Sequence, residues 1–247
     1  MEGGRSFPKL GLGTYMLRNK SYKMVLAALK AGYRHIDTAK LYGNESDVGQ
    51  AIKDSGVPRE EIFITTKIMR HDIKNRLKEA VESALNALDT YIDLLLLHVP
   101  TSNSVEAWSV LQDFKGDRVR ELGVSNFSIS DLEVLSPKPW CNQIELSPFL
   151  QRRPLVNYCK RNSIRIIAHS SLVKLDDYVI QEIGKMNRCT PAQVLLSWAR
   201  IKGYHVIPRT SDKKHLIENM KFVALEYSDM YELDRLESGY TKFPKFI

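Results

Sequence analysis

Four side chains in this sequence could together move a proton: Asp37, Tyr42, Lys67 and His98. Lys67 follows the run Ile-Phe-Ile-Thr-Thr, so its ammonium emerges from apolar surroundings and needs an anionic partner. Asp37 closes another apolar run, eight residues before the helical pattern that opens at Glu45, too far away to cap it. A lone histidine after four leucines, as His98 is, can be an ordinary core residue, and a lone Tyr42 more often packs than reacts. As a set they do more. A lysine cation lowers a phenol pKa, a carboxylate holds the lysine, and a tyrosine of ordinary pKa ~10 can then give a proton to a developing alkoxide near neutral pH.

Such a set works only if separate segments bring it together. Apolar, β-rich runs at 10–15, 35–39, 62–67, 92–98, 121–125, 142–147, 164–170 and 205–209 read as strands. Helical patterns follow them at 21–31, capped by Ser21 and stopped by Gly32, and at 45–55, 73–88, 105–114 and 129–135. They continue at 154–161, with proline in the first turn, at 176–186 with 191–200, and at 213–220, and a terminal helix is expected at 230–237. Eight strand–helix units fit one α/β domain over residues 1–247, a closed (β/α)8 barrel of the TIM type. A doubly wound open sheet would need a phosphate loop, and Gly11-Leu12-Gly13 does not complete one.

In such a barrel the chemistry lies at the C-terminal ends of the strands. That rim is polar throughout: Thr14-Tyr15, Asp37-Thr38, Thr66-Lys67, His98, Ser125-Asn126, His169-Ser170 and Arg209-Thr210-Ser211, with Gln143 earlier in its strand.

Composition narrows the function. With 36 basic and 29 acidic residues the net charge is +7, which points to an anionic partner. The basic residues are scattered apart from Arg152-Arg153 and Lys213-Lys214, and no nucleic-acid-binding motif occurs, so nucleic acid is not the expected partner. The six histidines form no H-E-x-x-H or H-x-H pair, so no metal site is expected. Cys141, Cys159 and Cys189 are widely spaced and read as reduced thiols. The first twenty residues hold no signal-peptide core, and no apolar run approaches a membrane span. A cytoplasmic protein is expected.

The segment Asp37-Thr38-Ala39-Lys40-Leu41-Tyr42-Gly43-Asn44-Glu45 resembles the D-T-A-x-x-Y-x-N-E signature of the aldo-keto reductase superfamily. The likeness continues through Ile64-Thr65-Thr66-Lys67, Ile92-Asp93-Leu94, His98-Val99-Pro100 and Gly123-Val124-Ser125-Asn126-Phe127. It then runs through Asn142-Gln143, Leu196-Ser197-Trp198-Ala199 and Ile207-Pro208-Arg209. This resemblance implies a barrel that binds NADPH, with NADH a weaker alternative, and reduces aldehydes or ketones. It implies Tyr42 as the acid, tuned by Lys67 and Asp37, with His98 orienting the substrate. Ser125, Asn126 and Gln143 match residues that hold the nicotinamide. Arg209, Thr210, Ser211, Glu218 and Asn219 match those at the adenosine end with its 2′-phosphate. Gly13, Thr14, Asp37, His169, Ser170, Leu172, Pro208 and His215 complete the expected cofactor set. Tyr15, Met69, His98 and Val99 are the expected substrate contacts. A monomer is implied by analogy alone.

Four departures shape the expectation. His169 stands where the family usually has a stacking tyrosine, Arg209 where it has a lysine, and His215 where NADPH-preferring members have an arginine. The segments after Pro100 and Leu172 are short, and Val99 replaces a tryptophan, so an open pocket suited to small aldehydes or dicarbonyls rather than steroids is expected. The competing function is an NADPH-binding scaffold or redox sensor with little activity. Retention of all four reactive side chains favours the enzyme.

Overall fold

The computed structural model describes residues 7–244. Eight parallel strands run β1 (Leu12–Gly13), β2 (His35–Asp37), β3 (Phe63–Ile68), β4 (Ile92–Leu97), β5 (Val119–Ser125), β6 (Cys141–Glu145), β7 (Arg165–His169) and β8 (His205–Val206) in sequential spatial order. The sheet closes on itself. The Gly11 amide donates to the Val206 carbonyl at 2.8 Å, the Val206 amide to Lys9 at 3.0 Å and the Gly13 amide to Pro208 at 3.0 Å. A (β/α)8 barrel results, as the alternation of apolar runs and helical patterns predicts.

Strand alternation decides what faces the barrel interior. Leu94 and Leu96 of β4 pack inside with Phe63, Cys141, Ile167 and Ile207, while Leu95 and Leu97 join the larger core under the helices. The parity that turns Phe63, Cys141, Ile167 and Leu96 inward also brings Lys67, Gln143, His169 and His98 to the inner face at the opposite, C-terminal end. Asp93, the polar residue in the β4 run, accepts from the Ile64 amide at 2.9 Å and pairs with Arg59 at 2.7 Å, so its burial is compensated.

Helices Ser21–Ala31 and Glu45–Ser55 end at Gly32 and Gly56, both left-handed. Ser21 opens its helix without capping it, since its hydroxyl donates back to the Arg18 carbonyl at 2.7 Å. The single helix expected over 73–88 is two, Arg70–Asn75 and Leu77–Leu88, separated at Arg76 with φ −137°. The terminal helix lies at Tyr227–Asp234, earlier than 230–237, because Glu226 and Asp229 form its capping box. Strands β1 and β8 are shorter than expected, because the seam between them is closed, among the described residues, by a single bridge, Leu10 to Val206, and by isolated backbone bonds. Among the described residues no helix is long and apolar enough to cross a membrane.

Candidate active site

Lys67 is 1% exposed at the end of β3. Its Nζ donates to Asp37 Oδ1 at 2.5 Å, to the Thr38 carbonyl at 2.8 Å and to the Tyr42 hydroxyl at 3.4 Å. Gln143 Nε2 donates to the other Asp37 oxygen at 2.7 Å, so both carboxylate oxygens are held. Three strands and one short helical turn, Lys40–Tyr42, thus bring Asp37, Tyr42, Lys67 and Gln143 into direct contact.

Burial would pull Lys67 down, but Asp37 and Tyr42 outweigh it and its pKa is raised, so the ammonium persists. Burial pushes Asp37 up, against Lys67 and Gln143. Tyr42 also moves up, because burial raises it more than Lys67 lowers it. The expected net lowering of this phenol pKa is therefore reversed: Lys67 does pull it down, but desolvation is larger. The consequence is a phenol that keeps its proton at neutral pH, with a cation placed against its oxygen.

The His98 ring stands edge-on to Tyr42 with centroids 6.0 Å apart. Burial, then Lys67 and His169, lowers its pKa to about 3, so the imidazole is neutral. Neither ring nitrogen bonds a described residue. His98 and Tyr42 therefore each keep a hydrogen-bond donor free for a ligand.

A chain of hydrogen bonds runs along the next strands. Ser125 Oγ donates to the Gln143 carbonyl at 3.0 Å, and Asn126 Nδ2 donates to Ser125 Oγ at 3.0 Å and to the His98 carbonyl at 3.3 Å. His169 Nε2 meets Asn126 Oδ1 at 3.0 Å, and its Nδ1 meets Ser170 Oγ at 3.1 Å. Burial, with Lys67 and Arg152, lowers the His169 pKa to about 3. A carboxamide could exchange for bonds in this chain, and Gln143 Oε1 accepts nothing from the described residues.

Gly13 and Pro208 meet at the barrel seam, and Thr14 is buried beside Asn44. Beyond the seam Arg209 is exposed and makes no ion pair or hydrogen bond with a described residue. Ser211 and His215 are also exposed, Thr210 is buried, and Glu218 pairs with Lys214 at 3.7 Å. Asn219 is only 3% exposed, yet its amide has no hydrogen-bond partner among the described residues. The unpaired Arg209 guanidinium and the unengaged Asn219 amide are donors suited to a phosphate and a base. The expected nucleotide fits these residues. Leu172 is half-buried and packs against the core under the helices.

The expected substrate contacts lie on different segments around the rim. Tyr15 is exposed and lies 5.1 Å from the Tyr42 ring, Met69 is half-buried before helix Arg70–Asn75, and Val99 borders a cavity of about 270 Å³.

Sequence reading left out several participants. Asn44 accepts from Thr38 Oγ1 at 2.7 Å and donates to Thr14 and Ser21, and Glu45 accepts from Thr66 Oγ1 at 2.5 Å. Both lie in the motif quoted above, two and three residues after Tyr42, so their position was a usable signal. Phe243, 6.5 Å from Tyr15 and 6.2 Å from His169 by ring centroids, and Arg152, which also borders the cavity, had no local signal. Phe243 arrives because Glu145 accepts from Thr241 Oγ1 at 2.9 Å and from the Lys242 and Phe243 amides at 2.6 and 3.2 Å.

Comparison with known proteins gives a consistent picture. Residues 8–174 match the family model described as "Aldo/keto reductase family". A methylglyoxal reductase of Escherichia coli O157:H7 is 41% identical over 90% of this chain and 89% of its own. A glycerol 2-dehydrogenase (NADP(+)) of Saccharomyces cerevisiae is 37% identical over 94% of this chain and 88% of its own. That alignment extends over 278 positions, more than the 247 residues here, so the yeast protein carries segments that this chain lacks. The crystal structure of MGS-M4, an aldo-keto reductase from a Medee basin deep-sea metagenome library, superposes with a TM-score of 0.92 at 35% identity. It covers 98% of this chain and 96% of its own.

Proposed function

This chain belongs to the aldo/keto reductase family, and from that premise we propose that it reduces small aldehydes and dicarbonyls to alcohols with NADPH, Tyr42 donating the proton. The observation that carries the reading is the contact of Lys67 with both Asp37 and Tyr42 inside the barrel. NADPH, when bound, supplies the hydride. Ser125, Asn126 and Gln143 would hold its carboxamide end, and Arg209, Thr210, Asn219 and the exposed Lys213 its adenosine and phosphate end.

The chain's own residues manage the proton. The Tyr42 hydroxyl gives its proton to the carbonyl oxygen, and Lys67 donates to the phenol oxygen as charge grows there. Asp37 and Gln143 fix Lys67 in place. His98, neutral and unpartnered, hydrogen-bonds and orients the carbonyl oxygen. The enzyme reading is favoured over a scaffold by relatives named as reductases and a dehydrogenase, and by this intact group.

The short segments after Pro100 and Leu172 support small substrates. The free thiols support a reducing compartment, and we place the protein in the cytoplasm as a monomeric single-domain enzyme. Arg209 and Lys213 support NADPH over NADH, with His215 in place of a further arginine. Initial rates with both cofactors and a panel of small aldehydes test this. Higher kcat/KM with NADPH is expected, and a preference for NADH would refute the cofactor assignment.

A further inference from the structure

The cavity of about 270 Å³ at the C-terminal ends of β4, β5 and β6 is not used by the proton-transfer group. It lies beside the reactive group in the fold: two of its lining residues are Val99, which follows His98, and Asn126, which donates to the His98 carbonyl. Two arginines line it, Arg70 and Arg152. Arg70 is exposed and has no partner among the described residues. Arg152 is half-buried, and of its guanidinium only Nε is engaged, donating to the Glu145 carbonyl at 3.1 Å. Its backbone is left-handed, φ 45°, which is costly for a residue with a β-carbon.

The nearby acids make hydrogen bonds of their own. Asp131, also in the cavity wall, accepts from the Ser128 amide at 2.9 Å and from the Ser128 hydroxyl at 2.6 Å. The Glu145 carboxylate is held by the Thr241–Phe243 segment. Two guanidinium groups with free terminal nitrogens therefore outnumber the one carboxylate in the cavity wall. Guanidinium groups bind carboxylates and phosphates through paired N–H donors.

We propose that this cavity receives an anionic group of the substrate, making carboxylate- or phosphate-bearing aldehydes better substrates than neutral aldehydes of the same length. The inference rests on the carbonyl-reducing reading above and adds a substrate class to it.

The test is kcat/KM with NADPH for two matched pairs, succinic semialdehyde against butanal and glyceraldehyde 3-phosphate against glyceraldehyde. It is run on wild type, Arg152→Met and Arg70→Met. An anionic member is expected to be preferred by about tenfold or more, the scale of one charge-assisted hydrogen bond. Each substitution should lower the anionic-to-neutral ratio. The pair that shows the preference identifies carboxylate or phosphate. Equal use of both members in both pairs, or a preference that survives both substitutions, overturns the inference while carbonyl reduction stands. If no aldehyde is reduced, the parent reading fails and this one with it. Arg70 is exposed, so Arg70→Met keeps the test decisive should Arg152→Met not fold.

Discussion

Lys67 touches a carboxylate, a backbone carbonyl and a phenol while almost wholly buried. Replacing it with methionine would leave Asp37 buried beside Gln143 without a cation. Breaking a buried pair in this way costs about 3–5 kcal/mol, so Lys67→Met should show a clearly lower unfolding free energy in urea as well as lower turnover. A loss under about 1 kcal/mol would mean that the pair is not holding the site. The pH dependence follows from the same environment. Burial raises Tyr42 above the ordinary phenol value, so its proton stays available until alkaline pH, and His98, lowered to about 3, stays neutral throughout. Accordingly kcat/KM for reduction should be flat from about pH 6 up to the ordinary phenol value of ~10 and fall only above it as Tyr42 deprotonates. An inflection near an ordinary histidine pKa would contradict this. The identity of these residues was readable in the sequence because period-two alternation sends Phe63 and Lys67, or Cys141 and Gln143, to one face. The direction of the Tyr42 shift was not, since it depends on how much protein surrounds the phenol.

At the level of elements, the segment Thr241–Phe243 and the seam between β1 and β8 are the most informative. Glu145, 3% exposed, receives three hydrogen bonds from that segment and so places Phe243 near Tyr15 and His169. Glu145→Ala should release the segment, cost about 2–3 kcal/mol of stability and raise KM for aldehydes more than it changes kcat. Steady-state kinetics beside a urea titration would check it, and an unchanged KM would speak against the segment as a wall of the pocket. At the seam, a Cβ on Gly13 would lie 2.7 Å from the Ile207 carbonyl oxygen. Gly13→Ala should therefore destabilise the barrel by about 1–3 kcal/mol in a thermal or denaturant melt. Most helices were legible from caps, glycine stops and spacing. The break at Arg76 was not, as neither glycine nor proline marks it. The attachment at Glu145 was equally hidden, because its partners lie nearly one hundred residues away.

Across the whole molecule, burial lowers the pKa of four histidines: His35, His98 and His169 to about 3 and His205 to about 4. The folded protein refuses protons that the unfolded chain accepts near pH 6.5, so this contribution is present at neutral pH. It is lost as pH falls from about 6.5 toward 4, at roughly 1–2 kcal/mol per imidazole between pH 7 and pH 5. The urea midpoint should drop over that interval, and a midpoint constant to pH 5 would contradict the buried, neutral state of these rings. The barrel itself was legible because eight repeating units fill the chain, whereas the cavity flanked by Arg70 and Arg152 exists only once three strand ends converge. We propose that this barrel is a working reductase whose proton passes through Tyr42. The most direct measurement follows NADPH oxidation with a small aldehyde by wild type and Tyr42→Phe, with NADPH binding monitored by fluorescence. The expected result is a loss of about 10²–10⁴ in kcat/KM with NADPH binding retained. A variant that binds NADPH and turns over at the wild-type rate would contradict it.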